Sequence, residues 1–171
     1  MNYLTKFRNI TTFIFDIDGV LTEGMMLLHQ DGSLLRSLFV RDGYAMRVAI
    51  NAGYRIAIIS GGDTPTAMER FGSLGLQEII LRSKNKLADL IDIRNKYGLT
   101  KDEILFMGDD IPDYEAMNAV GLPCCPEDAV DEIRDISDYI SDKKGGQGCA
   151  RDVIEKVLKL RGDWPGYPNL G

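Results

Sequence analysis

Short, wholly apolar runs alternate along the chain with stretches in which apolar residues recur at helical spacing. Residues 11–15, 55–59, 78–81 and 104–107 are brief and rich in β-branched or aromatic residues, the pattern of strands buried on both faces. Helical segments stand between them. One begins at Asp42, repeats apolar residues at Tyr44, Ala45, Val48 and Ala49, and stops at Gly53. Another opens with Thr64 as cap and Pro65 in the first helical position, and a third runs over residues 86–97 to Gly98. Further on, the pattern predicts helix at 112–119, strand at 122–125, helix at 127–135, strand at 139–141 and helix at 150–160. Strands separated by helices of about ten residues form βαβ units. The expectation is an α/β fold: a doubly wound, Rossmann-like, mostly parallel sheet in a single domain over residues 1–171.

One segment breaks the alternation. Residues 25–30 and 33–40 flank Asp31-Gly32, a turn pair that predicts a tight two-residue hairpin between the first strand and its helix. Its arms carry Met25, Met26, Leu27, Leu28, Leu34, Leu35, Leu38 and Phe39. An isolated hairpin is marginal in water, so this apolar surface needs a cover. Either it folds over its own sheet or it builds an oligomer interface, and the second is expected.

Sites in open α/β sheets lie beyond the carboxyl ends of the strands. Asp16-Ile17-Asp18-Gly19 follows the first strand, Ser60-Gly61-Gly62 the second, and Gly108-Asp109-Asp110-Ile111-Pro112-Asp113 the fourth. Of two carboxylates one residue apart, one can bind a cation or attack while the other handles a proton. The plain alternative is an acidic turn; an EF-hand loop fails, because it needs its glycine at the sixth position. The acidic residues after the fourth strand repel one another unless a cation or a lysine compensates, and helix capping accounts for one or two of them. An all-oxygen site suits Mg²⁺. Ser60 can donate to an anion or serve as an ordinary turn serine. Lys86 opens a helix, where the dipole disfavours lysine, so it points to an anionic partner or else is solvated.

Composition narrows the classes. Lys and Arg total 20 against 26 Asp and Glu, a net charge of -6, which argues against a nucleic-acid surface. The single histidine, His29, excludes sites needing two His ligands and reads as a surface residue at the hairpin tip. Three cysteines with no CxxC spacing fit a reducing compartment. No apolar run approaches the ~18 residues of a membrane helix. Lys6 and Arg8 precede a stretch cut by Asp16, too short for a signal peptide. A cytoplasmic protein with no membrane partner is expected.

The ordered motif set, from Phe13 to about Val153, resembles that of the haloacid-dehalogenase superfamily of phosphohydrolases. The resemblance implies Asp16 as nucleophile, forming an aspartyl-phosphate, and Asp18 as the acid that protonates the leaving alcohol and then activates water. It implies Mg²⁺ held by the carboxylates of Asp16 and Asp109 and the backbone carbonyl of Asp18. Ser60 and Lys86 would bind the transferring phosphoryl group, with Asp110 or Asp113 orienting the metal shell or Lys86. Phosphoryl transfer is mostly positioning and charge neutralisation, which these groups can supply. Larger members insert a cap domain after the first strand or the second motif; only a hairpin and a helix stand there, as in the capless branch.

Within that branch, residues 40–44, 85–87, 108–110 and the Gly145-Gly146-Gln147-Gly148 loop are similar to phosphatases of a sugar-acid monophosphate, 3-deoxy-D-manno-octulosonate 8-phosphate, on the way to lipopolysaccharide precursors. That similarity implies a homotetramer with hairpin-mediated contacts and sites shared between subunits. It also puts Phe39, Val40, Arg41, Asp42, Gly43, Arg47, Gly61 and Arg70 at substrate-binding positions. The sequence departs from the pattern at Gly62 and Gln147, where members often carry Arg, and at Phe39, where Asn is common. A nine-carbon 2-keto-3-deoxy sugar-acid 9-phosphate is therefore the alternative substrate. Two other classes remain: a phospho-receiver-like module, and a silent oligomerisation relative. Receivers place the phosphorylated Asp after strand three, and intact Asp16, Asp18, Lys86 and Asp109 oppose silence. The glycine loop reads as a flexible connection or as an anion cradle at a helix start. The tail from Trp164 to Pro168 cannot be helical; it is either a disordered end or a segment that docks into a neighbour's site.

Overall fold

In the computed structural model, which describes residues 3–63, 65–76 and 78–166, the first half of the chain runs α1 (Tyr3–Asn9), β1 (Thr12–Phe15), β2 (Leu27–Leu28), β3 (Leu34–Leu35), α2 (Val40–Asn51), β4 (Arg55–Ile59), α3 (Pro65–Gly72) and β5 (Glu78–Ile80). The second half runs α4 (Lys86–Tyr97), β6 (Ile104–Met107), α5 (Tyr114–Asn118), β7 (Leu122–Cys125), α6 (Asp131–Ile136), β8 (Tyr139–Ile140) and α7 (Cys149–Arg161). Six strands form one sheet in the order β5-β4-β1-β6-β7-β8, with every pairing parallel. Successive strand residues point to opposite faces. Phe13 and Phe15 join one core with Phe7 of α1, Met46 of α2, Phe71 of α3 and Ile154 of α7. Ile14 joins the other with Leu90 and Ile93 of α4, Met117 of α5 and Ile133 of α6. Helices on both faces are what wholly apolar strands require. From β1 the chain steps to β4 and β5, then returns to β6 on the other flank. The carboxyl ends of β1 and β6 therefore border the switch crevice where such sheets bind ligands.

The hairpin β2–β3 is antiparallel but shorter than expected, with two paired residues in each arm. His29 donates its N–H to the Ser33 carbonyl at 2.9 Å, closing a loop of Gln30, Asp31 and Gly32 in place of the predicted two-residue turn. Gly32 has a φ of +86°, the left-handed residue that such a loop needs. The arms do not fold over their own sheet: Met25, Leu27 and Leu28 are 77%, 65% and 76% exposed.

Other boundaries moved for identifiable reasons. Helix α2 starts at Val40, and Asp42 caps a different helix, accepting the Arg151 N–H of α7 at 2.8 Å. Helix α6 starts late because Val130 is held extended, its N–H bonded to the Asp109 carbonyl at 3.0 Å. The segment expected as one helix from Pro112 begins as a 3-10 turn over Ile111–Asp113. Helix α1 had no expectation attached to it; it buries Phe7 and packs on α7. The expected cap Thr64 lies outside the described residues, as do Tyr167 and Pro168 of the tail. Trp164 is buried on the chain's own α2 and α7, edge-on to Tyr44 and under the Arg151 guanidinium. Cys124, Cys125 and Cys149 are free, buried thiols. No helix among the described residues is long and apolar enough to cross a membrane.

Candidate active site

Asp16 is the first residue past β1, and its N–H bonds the Met107 carbonyl at the end of β6 at 3.1 Å, tying the two strand ends together. An irregular turn over Ile17–Leu21 follows, with Asp18 extended and Gly19 at φ +93°. A Cβ on Gly19 would lie 1.9 Å from Oδ2 of Asp109, so the turn needs glycine for its dihedral and for that approach. Ser60 is buried at the end of β4, where its Oγ accepts the Gly62 N–H at 3.2 Å. Lys86 opens α4 behind Asn85, whose side chain caps the Ala88 N–H at 2.9 Å. A cavity of about 310 Å³ is lined by Asp16, Asp18, Ser60, Gly61, Gly62, Lys86, Asp109, Asp110 and Asp113, among others. The three motifs at strand ends and the lysine do converge.

Charge is unevenly matched in this cavity. The Lys86 ammonium lies 3.0 Å from Asp16 Oδ2 and 2.7 Å from Asp113 Oδ1, and all three side chains are almost fully buried. Burial disfavours the ammonium, but the two carboxylates outweigh it and hold the Lys86 pKa above its ordinary value. Asp16 is pushed up by burial and by the Asp113 charge, against the pull of Lys86. Burial also raises Asp113, partly offset by Lys86. Asp109 is pushed up to about 8, by burial first and then by Asp16 and Asp113. One ammonium does not neutralise three carboxylates.

Asp16, Asp109 and Asp113 each offer a carboxylate oxygen within 4.8 Å of the others. Both oxygens of Asp113 are engaged, by Lys86 and by the Asp109 N–H at 3.2 Å. Oδ1 of Asp16 and Oδ1 of Asp109 are buried without a partner. Orphaned, crowded carboxylate oxygens fit a hard divalent cation, with Asp16 and Asp109 as open acceptors and Asp113 bracing them from behind. Asp110 is exposed and caps the Ile111 N–H at 2.8 Å.

Gly61 is the single substrate-binding expectation found in this cavity. Phe39 and Arg41 line a separate cavity of about 510 Å³ with Gln147 and Arg151. Asp42, Gly43 and Arg70 border a small cleft, Val40 is exposed, and Arg47 donates to the Ser73 carbonyl at 2.7 Å. The glycine loop packs against the Ile17–Leu21 turn rather than standing free: Gly146 donates to the Val20 carbonyl at 2.9 Å, and a Cβ on Gly145 would sit 1.9 Å from the Gly19 carbonyl oxygen. Sequence reasoning missed Arg36, whose guanidinium grips Asp18 from the hairpin. Its signal was a charged residue inside an otherwise leucine-rich arm.

A family profile described as hydrolase, haloacid dehalogenase-like hydrolase, matches residues 33–121. The chain is 32% identical to 3-deoxy-D-manno-octulosonate 8-phosphate phosphatase KdsC of Salmonella typhi over 159 residues, covering 93% of this chain and 85% of that protein. Its fold superposes on the Moraxella catarrhalis phosphatase of the same name, crystallised with magnesium, phosphate and KDO, with a TM-score of 0.89 and 31% identity, covering 93% and 92% of the two chains. The Yersinia pestis phosphatase gives a TM-score of 0.94 at 27% identity, covering 99% and 91%. The chain thus belongs to the haloacid dehalogenase-like hydrolases, among their phosphoric monoester hydrolases.

Proposed function

We propose that this chain is a Mg²⁺-dependent phosphatase that hydrolyses 3-deoxy-D-manno-octulosonate 8-phosphate to the free sugar acid and phosphate. The observation that carries the reading is the Lys86 ammonium clamped between Asp16 and Asp113, beside the unpartnered oxygens of Asp16 and Asp109. The ligands of the Moraxella phosphatase support it. Asp16 attacks phosphorus through a carboxylate oxygen. The bond from phosphorus to the C8 oxygen breaks, leaving an aspartyl-phosphate, and Asp18 gives its proton to the departing alkoxide. Asp18 then takes a proton from the water that attacks phosphorus, which releases phosphate and restores the Asp16 carboxylate. Lys86 and Ser60 bind the phosphoryl oxygens. Asp16, Asp109 and the Asp18 carbonyl would hold Mg²⁺, which would offset the negative charge gathering on the phosphoryl group.

Homotetramers are part of the same reading, with the exposed hairpin leucines as contacts. Phe39 and Arg41, which lie away from the catalytic cavity, would then serve a neighbour's site. A phosphate-release assay on eight-carbon and nine-carbon sugar-acid phosphates tests the function. Turnover of the eight-carbon substrate, lost with EDTA and reduced at least ~1,000-fold by Asp16→Asn, is expected. Preference for the nine-carbon substrate would assign Gly62, Phe39 and Gln147 to a different specificity, and no turnover of either would overturn the reading.

A further inference from the structure

The hairpin reaches the candidate site through Arg36, which pairs with the cavity-lining Asp18. Arg36 follows β3 directly, and whereas Leu34 and Leu35 beside it are 46% and 50% exposed, its own side chain is 7% exposed. Its Nε donates to Asp18 Oδ1 at 2.6 Å and its Nη2 to Oδ2 at 3.1 Å, a two-pronged pair that fixes the position and the plane of the carboxylate. The Thr22 hydroxyl, at 3.4 Å, adds a longer contact to Oδ1. Space for the fork comes from Gly62: a Cβ there would stand 3.0 Å from Asp18 Oδ2 and 3.5 Å from Arg36 Nη2. Asp18 itself sits on an irregular turn with a non-helical backbone.

We propose that Arg36 is a positioning residue for the reaction, holding the Asp18 carboxylate in the orientation from which it exchanges protons with the leaving alcohol and the attacking water. The proposal rests on the reading of Asp18 as acid and base. Proton transfer requires the carboxylate within hydrogen-bond reach of the reacting oxygen, and a small misplacement is costly in rate. Lysine supplies a point charge and cannot reproduce the planar fork. The hairpin thereby links the apolar outer surface to the acid–base group.

The test is a double-mutant cycle on the Mg²⁺-loaded enzyme, with thermal midpoints measured alongside. Asp18→Asn is expected to lower kcat at least ~100-fold. Arg36→Ala is expected to lower kcat ~10-fold or more with KM changed less than ~3-fold, and Arg36→Lys to recover part of the loss. Adding Arg36→Ala to Asp18→Asn is expected to cost nothing further. Arg36→Lys keeps the stem and the charge, and carries the same comparison where Arg36→Ala unfolds. Full kcat in Arg36→Ala, a change confined to KM, or losses that multiply in the double variant would overturn the proposal. Wild-type kcat in Asp18→Asn would instead overturn the acid–base reading beneath it.

Discussion

Asp16 and Asp113 share one ammonium beside Asp109, and the arrangement explains why a lysine stands at a helix start, where the dipole opposes it. Without the cation, Lys86 is the group that makes the acidic cluster tolerable. Lys86→Met in EDTA is expected to lower the unfolding free energy by about 3 kcal/mol, read from urea denaturation, because it leaves buried carboxylates uncompensated. An unchanged midpoint would contradict this. Asp42 makes a separate prediction. Burial pushes its pKa up to about 6, against the opposing Arg151 N–H and charge, and its Oδ2 has no partner. A carboxyl raised from 3.8 binds more protons folded than unfolded, so its contribution to stability is present below pH 4 and is lost as pH rises through 6. Asp42→Asn is therefore expected to gain on the wild type by about 3 kcal/mol between pH 4 and pH 7.5, measured by urea unfolding across pH. A parallel pH dependence in the two proteins would refute it. Asp16, Ser60, Lys86 and Asp109 were legible in the sequence because each stands at a strand or helix end. Arg36 was not, since only the hairpin's return path brings it to Asp18.

At the scale of elements, the Ile17–Leu21 turn is shaped as much by its neighbours as by its own residues. The loop before α7 presses glycine backbone on it, and Cys149 donates its thiol to the Val20 carbonyl at 3.2 Å. Gly145→Ala would drive a methyl group into the Gly19 carbonyl. It is expected to cost more than ~1 kcal/mol of stability and to lower kcat together with it. Gly72→Ala, where a Cβ meets nothing within 4 Å, is the matched control and is expected to lower neither. Thermal unfolding and turnover of the two variants decide the matter. The glycine loop's presence was legible and its purpose was not, because close backbone approach leaves no side-chain pattern. Strands β4, β6 and β7 fell where their apolar runs lie. Helix α6 and the hairpin shifted because a tertiary hydrogen bond at Val130 and a three-residue loop at Gly32 overrode local preference.

Over the whole molecule, the sheet order brings the acidic strand ends to one crevice, and this changes how the charge of -6 is read. Asp16, Asp18, Asp109, Asp110 and Asp113 are five of the 26 acids, and without them acids exceed bases by one. Met25, Leu27 and Leu28 leave an exposed apolar surface on the hairpin, which a partner copy would cover in the proposed homotetramer. Leu27→Asp with Leu28→Asp is expected to lower the solution mass measured by light scattering while leaving the circular dichroism spectrum intact. An unchanged mass would exclude the hairpin as the assembly contact. The central claim, phosphoryl transfer through Asp16, is tested most directly by acid-quenching the enzyme during turnover, reducing with borohydride and mapping peptides by mass. The account predicts homoserine at position 16, the reduction product of an aspartyl-phosphate. Reduction at another aspartate, or none during active turnover, would contradict it.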